Sequence, residues 1–114
     1  MIGSFSIGID IVEIDRFKKM NFTKNKKFYS KIFTNSEIEY CLKFKDPYTH
    51  FAGKFALKEA LKKSINMEIN FLDILTLHIN SKPKIQLKSK KYFITASISH
   101  EKKFAIAVVI CQKL

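Results

Sequence analysis

The sequence has few of the residues that build disulfide scaffolds, zinc knuckles or membrane spans. Its two cysteines, Cys41 and Cys111, form no CxxC pair and have no histidine at zinc-ligand spacing, so we expect reduced thiols. No uncharged stretch reaches the roughly 18–20 residues that a membrane span needs. Residues 1–15 lack the basic start of a secretion signal. We therefore expect a soluble, cytoplasmic protein with no membrane partner.

Glycine and proline are also scarce, at three and two residues, and the chain has no linker rich in them and no internal repeat. We therefore expect one domain over residues 1–114. A chain of 114 residues buries only about two-thirds of its unfolded surface. With 46% hydrophobic residues and eleven phenylalanines, apolar surface is left over for a subunit interface, and we expect a homo-oligomer.

Basic residues outnumber acidic ones by 21 to 10, which gives a net charge of +11. This charge favours polyanionic partners: nucleic acid, anionic lipid, a phosphorylated ligand or an acidic protein. Arg16 is the only arginine and tryptophan is absent, so the lysine excess also fits an AT-rich genome. Charge alone does not choose among these partners.

The N-terminal third predicts one strand followed by helices. Residues 5–12 alternate, with three isoleucines on one side and Gly8 and Asp10 on the other, which is typical of a strand. Helical patterns follow over residues 13–20 and 25–32. Thr34 and Glu37 have the spacing of a capping box, which predicts a helix over residues 35–44 that ends before Asp46-Pro47.

Residues 49–65 predict a long helix with two distinct faces. Leu57, Leu61 and Ile65 form an apolar stripe, whereas Glu59 lies on a face of small and aromatic residues. Lys62 and Lys63 extend that second face by one turn. An anion lying along it would therefore meet positive charge.

The C-terminal half predicts two antiparallel strand pairs. Residues 75–79 and 85–87 alternate around the turn at 80–83, and residues 93–99 and 104–111 flank the turn at 100–103. A strand, then helices, then antiparallel strands is the order of an α+β fold.

Two carboxylates are candidates for chemistry, each with an ordinary structural alternative. Asp10 interrupts an apolar strand, and either a nearby cation or the capping of a neighbouring helix by Asp10 or Glu13 accounts for it. Glu59 either acts in a site or pairs with Lys62 or Lys63. Together Asp10 and Glu59 supply the two hard oxygen ligands with which Mg²⁺ is commonly held, phosphate oxygens and water completing the shell. The three histidines are weaker candidates for catalysis, since a lone histidine is more often incidental than catalytic. They are His100, His50 and His78.

Three segments resemble the holo-acyl-carrier-protein synthases, the small bacterial 4′-phosphopantetheinyl transferases. They are Ile7-Gly8-Ile9-Asp10-Ile11-Val12-Glu13-Ile14-Asp15-Arg16-Phe17, Phe51-Ala52-Gly53-Lys54-Phe55-Ala56-Leu57-Lys58-Glu59-Ala60 and Ser97-Ile98-Ser99-His100. The Thr34-Asn35-Ser36-Glu37 helix start also looks like the family's. The resemblance covers nearly the whole chain.

This resemblance implies a homotrimer with the family's α+β fold and active sites at subunit interfaces. It implies transfer of 4′-phosphopantetheine from coenzyme A to a serine of apo-acyl carrier protein, with Mg²⁺, for fatty acid biosynthesis, releasing adenosine 3′,5′-bisphosphate. Asp10 and Glu59 match the metal ligands, and Lys63 matches a lysine near the transferred phosphate. The residues that match the lining of the coenzyme A site are Lys54, Ser81, Lys82, Pro83 and His100. Arg16 matches a position that meets the carrier, and Lys18 and Lys19 extend that basic face.

The implied chemistry needs a metal and lysines at the phosphate, and a base for the carrier's serine proton. Asp10, acting through water, and Glu59 are both candidates for that base. Two positions depart from the family pattern. Lys54 replaces an arginine, which gives up bidentate phosphate binding, and Ser81 replaces a glycine before Lys82-Pro83.

Two other classes of protein remain as alternatives. A basic nucleic-acid-binding domain would carry aromatics interleaved with basic residues on exposed strands and would respond to salt but not to coenzyme A. The almost purely apolar strand at residues 104–110 does not fit that pattern, and we expect no specific nucleic-acid partner. A non-catalytic subunit with the same fold is disfavoured by the presence of both Asp10 and Glu59.

Overall fold

The computed structural model describes residues 4–89 and 91–114 and has the predicted order of strand, helices and strands. The elements are β1 (Phe5–Glu13), α1 (Asp15–Lys18), α2 (Lys26–Ile32), α3 (Asn35–Leu42), α4 (Pro47–Ile65), a short 3₁₀ helix (Phe71–Asp73), β2 (Ile74–Ile79), β3 (Lys82–Leu87), β4 (Tyr92–His100) and β5 (Phe104–Lys113). The α+β prediction is confirmed. The first predicted helix is shorter than expected, because only four residues of 13–20 form α1.

Local capping explains where the two central helices begin. The Thr34 hydroxyl accepts from the backbone N–H of Glu37, and the Glu37 carboxylate accepts from the backbone N–H of Thr34, which completes the predicted capping box of α3. Pro47 ends no helix itself but occupies the first turn of α4, where its missing N–H costs nothing. The Asp46 side chain accepts from the backbone N–H of Tyr48 and caps α4.

Two antiparallel sheets carry the strands. β5 lies between β1 and β4, with Ile9 opposite Val108 and Ala96 opposite Val109. β2 and β3 form a separate hairpin joined by Asn80 and Ser81. Both predicted strand pairs are therefore present.

The core lies between α4 and one face of the three-stranded sheet. Leu57 and Leu61 of α4 are fully buried there, as are Ala105, Ala107 and Val109 of β5. Small residues on the strand let the helix approach closely. An aromatic cluster around Tyr29 and Phe51 closes the other side of α4.

The isoleucine face of β1 points away from this core. Ile7, Ile9 and Ile11 are 67%, 61% and 59% exposed in the single chain, and Phe104 and Ile106 of β5 lie on the same outward side. The strand prediction was right, and it is the Gly8 and Asp10 side that packs on α4. A contiguous apolar surface of this kind is typical of a protein interface.

The remaining predictions about the whole chain concern thiols and membranes. Cys41 and Cys111 are both free and buried. Burial is the largest of the effects that raise the pKa of the Cys41 thiol to about 12, so it is not a thiolate at neutral pH. Within residues 4–89 and 91–114 no helix is long and apolar enough to cross a membrane.

Candidate active site

Close contact between β1 and α4 brings the two halves of the site together. A β-carbon added to Gly8 would lie 1.8 Å from the carbonyl oxygen of Ala60 and 2.8 Å from the backbone nitrogen of Ser64. Only glycine therefore permits this separation of strand and helix. Asp10 lies two residues further along the same face of β1, so it too faces α4.

Asp10 is paired with a lysine of α4. The ammonium of Lys63 lies 3.1 Å from Asp10 Oδ1 and donates also to the carbonyl oxygen of Ile9, again at 3.1 Å. The Asp10 side chain is 14% exposed, whereas Lys63 is 57% exposed. Asp10 makes no cap on α1, whose N-cap residue Ile14 has no side-chain hydrogen bond. The structure thus favours a cation partner for Asp10 over helix capping.

Glu59 lies one turn before Lys63 on the same side of α4, over the same stretch of β1. Its carboxylate is 3.8 Å from the ammonium of Lys62, the ion pair considered from the sequence. That pair leaves Glu59 open to other ligands, because its side chain remains 28% exposed. Glu59, Lys62 and Lys63 line one side of a cleft of about 460 Å³.

The donor set at this site suits a hard divalent cation. Asp10 and Glu59 offer carboxylate oxygens from facing elements, with no soft ligand beside them. Across residues 4–89 and 91–114 no three His, Cys, Asp or Glu side chains gather as a complete metal cage. Mg²⁺ is typically held by one or two carboxylates together with substrate phosphates and water, so these two residues fit it.

A second cleft, of about 350 Å³, contains three of the predicted ligand-binding residues. Ser81, Pro83 and His100 line it together with His50 and His78. All three histidines of the chain therefore meet at one place. Lys82 is exposed between Ser81 and Pro83. Because α4 rises about 1.5 Å per residue, His50 and Glu59 lie about 14 Å apart along the helix.

Aromatic stacking organises this second cleft. His50 stacks on Phe44 with ring centres 3.6 Å apart, and His78 lies parallel to Tyr40 at 4.8 Å. Burial and then Lys54 and His50 lower the pKa of His78 to about 4. Burial and then His100 lower the pKa of His50. Both imidazoles are therefore neutral at pH 7, and they offer flat surfaces rather than positive charge.

Lys54 is placed behind the second cleft rather than in it. Its side chain is 1% exposed, and its ammonium donates to the carbonyl and hydroxyl oxygens of Thr76, both at 3.1 Å. It also lies 4.6 Å from the centre of the Tyr40 ring. Lys54 therefore supports the Tyr40 wall of the cleft from behind and ties α4 to β2. Direct contact of Lys54 with a ligand stays a prediction.

The predicted basic face on α1 is exposed. Arg16, Lys18 and Lys19 all reach solvent. The Arg16 guanidinium lies 5.4 Å from the centre of the Phe55 ring, on the α4 face that carries Glu59. Lys18 makes a weak pair with Asp46 at 3.8 Å. This face therefore presents positive charge to solvent.

Sequence reasoning missed a buried ion pair directly beside Glu59. Lys58 and Glu37 are both 0% exposed and lie 2.7 Å apart. The capping role of Glu37 was visible in the sequence, but its contact with Lys58 joins residues 21 positions apart. One signal was available: Lys58 falls next to Leu57 and Leu61 on the apolar side of the predicted helix, where an unpaired charge would be costly.

Comparison with known proteins decides the family. A model described as "4'-phosphopantetheinyl transferase superfamily" matches residues 6–109. The chain belongs to that superfamily. A holo-[acyl-carrier-protein] synthase of Chlamydia felis is 39% identical over an alignment that covers 91% of this chain and 93% of the relative. The resemblance predicted from the G-I-D and K-E-A segments is thus confirmed, and the chain is a phosphopantetheinyl transferase-type enzyme.

Two solved structures of this superfamily confirm the fold. A holo-(acyl-carrier-protein) synthase of Bacillus anthracis, in complex with CoA (3′,5′-ADP), matches with a TM-score of 0.84 and 34% identity over 96% of both chains. The Helicobacter pylori holo-[acyl-carrier-protein] synthase, in complex with coenzyme A, matches with a TM-score of 0.82 and 38% identity over 93% of this chain and 99% of that one. The 4′-phosphopantetheinyl transferase fold predicted for this chain is therefore correct.

Proposed function

We propose that this chain is a single-domain holo-acyl-carrier-protein synthase that transfers 4′-phosphopantetheine from coenzyme A to a serine of an apo-acyl carrier protein. The reaction releases adenosine 3′,5′-bisphosphate, requires Mg²⁺ and serves fatty acid biosynthesis in the cytoplasm. The observation that supports it best is the placement of Asp10 and Lys63 against each other across β1 and α4, with Glu59 one turn away. The relatives solved with coenzyme A share this fold.

In this proposal Asp10 and Glu59 hold the metal. When bound, Mg²⁺ would neutralise charge that builds on the phosphate oxygens as the serine hydroxyl attacks. The Lys63 ammonium would move from Asp10 toward the transferred phosphate and stabilise the same charge. The nucleophile comes from the carrier, so the chain needs no Ser-His-Asp or Cys-His set of its own. Either Asp10, acting through water, or Glu59 would accept the serine proton.

The nucleotide end of coenzyme A is assigned to the histidine cleft. Ser81, Lys82, Pro83 and His100 would contact it, and Lys54 would act from behind through Tyr40 and Thr76. Phe44 and His50 offer stacked aromatic surfaces there. Lys82→Gln tests this directly, because loss of the contact should raise the Michaelis constant for coenzyme A. An unchanged constant would remove Lys82 from the binding site.

The exposed apolar face of β1 supports a homotrimer with active sites at subunit interfaces. A strand with three isoleucines about 60% exposed is expected to find a partner surface. Native mass spectrometry of Ile9→Asp tests this, since a charge on that face should give monomers. The matched control is Ile79→Asp, which changes an isoleucine that is 50% exposed on the β2–β3 hairpin. A trimer that persists in Ile9→Asp would contradict the proposal.

The carrier protein is proposed to dock on the basic face of α1. Acyl carrier proteins are acidic, so Arg16, Lys18 and Lys19 offer charge complementarity that salt would screen. Arg16→Glu should raise the Michaelis constant for the carrier but not for coenzyme A. Lys27→Glu on α2 reverses another exposed charge and serves as the control. Equal effects of the two changes would point to net charge rather than a specific face.

Intact-mass spectrometry of the carrier tests the reaction itself. The purified protein is incubated with coenzyme A, Mg²⁺ and an apo-acyl carrier protein, and the carrier should gain the mass of one phosphopantetheine group. Asp10→Ala and Glu59→Ala should abolish the gain. Glu39→Ala, which removes an exposed carboxylate on α3, should retain it. No gain with several carriers would refute the proposed transfer to acyl carrier protein.

A further inference from the structure

The buried ion pair of Lys58 and Glu37 lies next to the proposed metal ligand Glu59 and has no direct role in the proposed chemistry. The Lys58 ammonium has three donors, and all three are used. It donates to Glu37 Oε1 and the carbonyl oxygen of Ile32, each at 2.7 Å, and to the carbonyl oxygen of Phe71 at 3.0 Å. Lys58 thereby joins α4 to the end of α2, the start of α3 and the 3₁₀ helix.

Glu37 is as fully bonded as its partner. Besides Lys58, its Oε1 accepts from the backbone N–H of Thr34 at 2.8 Å. Its Oε2 accepts from the backbone N–H and the hydroxyl of Thr76 in β2. Both charges are therefore held in one geometry by directional hydrogen bonds, and neither can turn without leaving a buried charge unpaired.

Apart from Lys54, which donates to Thr76 one turn earlier, the rest of the buried side of α4 offers little directional restraint. Ala52, Gly53, Ala56 and Ala60 are small, and Leu57 and Leu61 pack by shape alone. Apolar contacts of this kind tolerate small rotations and shifts better than charged hydrogen bonds do. The rotation of α4 about its own axis near Glu59 is thus set chiefly by Lys58.

The two proposed metal ligands depend on two different restraints. Gly8 sets how closely β1 approaches α4, and therefore where Asp10 lies. Lys58 sets the direction in which the next residue of α4 projects, because successive side chains of a helix are separated by a fixed angle of about 100°. A small rotation at Lys58 moves the Glu59 carboxylate away from the Asp10 side.

We propose that Glu37 and Lys58 are positioning residues that aim Glu59 at the shared cation site opposite Asp10. The inference rests on the proposed function, since it assumes that Asp10 and Glu59 hold a divalent cation. It adds that the affinity of that site is set from the buried side of α4 by a pair that touches neither the cation nor the substrate.

Titration with Mn²⁺, followed by electron paramagnetic resonance in the presence of coenzyme A, tests the proposal without relying on turnover. The informative variant is Glu37→Gln/Lys58→Met, which removes both charges together, so that neither Glu37 nor Lys58 is left as a buried charge without its partner. Its thermal midpoint should stay near that of the wild type, whereas its Mn²⁺ affinity should fall about tenfold, the usual effect of losing an outer-shell restraint. Raising Mg²⁺ should restore its turnover.

A matched control separates positioning from general stability. Tyr29→Phe removes a buried hydroxyl that lies within hydrogen-bond distance of the carbonyl oxygens of Phe17 and Met20, neither of which is a partner of Lys58. It should lower the thermal midpoint and leave Mn²⁺ affinity unchanged. If the double variant does not fold, Mn²⁺ affinity is measured in Thr76→Val instead, which removes the hydroxyl that donates to Glu37 and accepts from Lys54.

The outcomes are distinguishable from those for the proposed function. A wild-type protein that binds no Mn²⁺ with coenzyme A would overturn the metal site and this inference together. A wild type that binds Mn²⁺, with a folded double variant of equal affinity, would overturn the positioning role alone. Weakened Mn²⁺ binding in the double variant but not in Tyr29→Phe supports it. In the Glu59→Ala background the double change should have no further effect on Mn²⁺ affinity, and an undiminished effect there would contradict the mechanism.

Discussion

Lys63 and Asp10 face each other across the contact of β1 with α4, with the ammonium 3.1 Å from Oδ1. The exposed lysine can leave this pair at little cost, because surface ion pairs contribute about 0–1 kcal/mol. Asp10 is less exposed and stays in place. The pair therefore suits a site in which the lysine follows an incoming phosphate while the carboxylate holds a cation.

Replacement of Lys63 by methionine should lower the turnover number about 100-fold, the usual effect of removing one donor from a developing charge. The free energy of unfolding should change by less than about 0.5 kcal/mol, as expected for an exposed side chain. Turnover is measured by the mass gain of the carrier, and stability by urea unfolding. Lys43→Met, another exposed lysine, is the control. Turnover within twofold of the wild type would show that Lys63 does not act at the phosphate.

Glycine to alanine changes at Gly8 and Gly53 should have opposite effects. The new methyl group at Gly8 would collide with backbone atoms of Ala60 and Ser64, which cannot move aside without shifting α4. We expect Gly8→Ala to lower the free energy of unfolding by about 2 kcal/mol or more. At Gly53 the methyl group would meet only the Ile98 side chain at 3.5 Å or beyond.

Because Gly53 lies inside α4 with room for a methyl group, Gly53→Ala should raise the free energy of unfolding by up to about 1 kcal/mol. Urea unfolding of both variants measures the contrast. Gly8→Ala should also lose Mn²⁺ binding, since Asp10 moves with β1. A stable Gly8→Ala protein would mean that strand and helix are not in the contact described here.

The order of elements was predictable because local signals determine it, and Asp10 was singled out by a local signal too. Alternation marked β1, and the capping box marked α3 at Thr34. Asp10 stood out as a charge in an apolar strand, and the resemblance to a known family joined it to Glu59. The signals lie within a few residues of the feature they predict, or within one recognisable segment.

What covers each face of β1 was not predictable in the same way. A period of two separates Ile9 from Asp10 but does not say which side meets α4. The answer depends on Gly8, whose missing side chain lets the helix approach. The roles of Lys54 and Lys58 also escaped, because their partners Thr76 and Glu37 lie more than 20 residues away in the chain.

Ser81 has a backbone conformation that suits glycine. Its φ of 67° lies in the left-handed region, next to Asn80 at 51°, and the two residues form the turn between β2 and β3. An L-residue other than glycine or asparagine pays about 1–2 kcal/mol there. We expect Ser81→Gly to raise the free energy of unfolding by roughly 1 kcal/mol after the added flexibility of glycine is counted.

Asn80→Gly is the control for Ser81→Gly, because asparagine already tolerates the left-handed region and should gain less. Differential scanning calorimetry compares the two midpoints. A larger gain from Asn80→Gly than from Ser81→Gly would show that the strain lies at the first turn position instead.

The buried carboxylate of Glu37 should make the fold sensitive to acid. Burial raises its pKa, but the hydrogen bonds from Lys58, Thr76 and Thr34 outweigh burial and hold the pKa below its ordinary value. Since the folded pKa is lower than the unfolded one, the stabilisation by Glu37 is complete above about pH 4.3, the ordinary glutamate value. It is lost as the pH falls through the lower folded pKa, and protonation then leaves the Lys58 charge unpaired in the core.

The free energy of unfolding of Glu37→Gln/Lys58→Met should therefore depend less on pH in the acid range than that of the wild type does. The free energy of unfolding in urea, measured from pH 3 to pH 7, gives both curves. The wild-type curve should fall more steeply below about pH 4.3, and toward neutral pH the two curves should differ only by a constant offset. Glu39→Gln, which alters an exposed carboxylate on α3, should leave the wild-type slope in place. Parallel curves for the wild type and the double variant would mean that other carboxylates control acid unfolding.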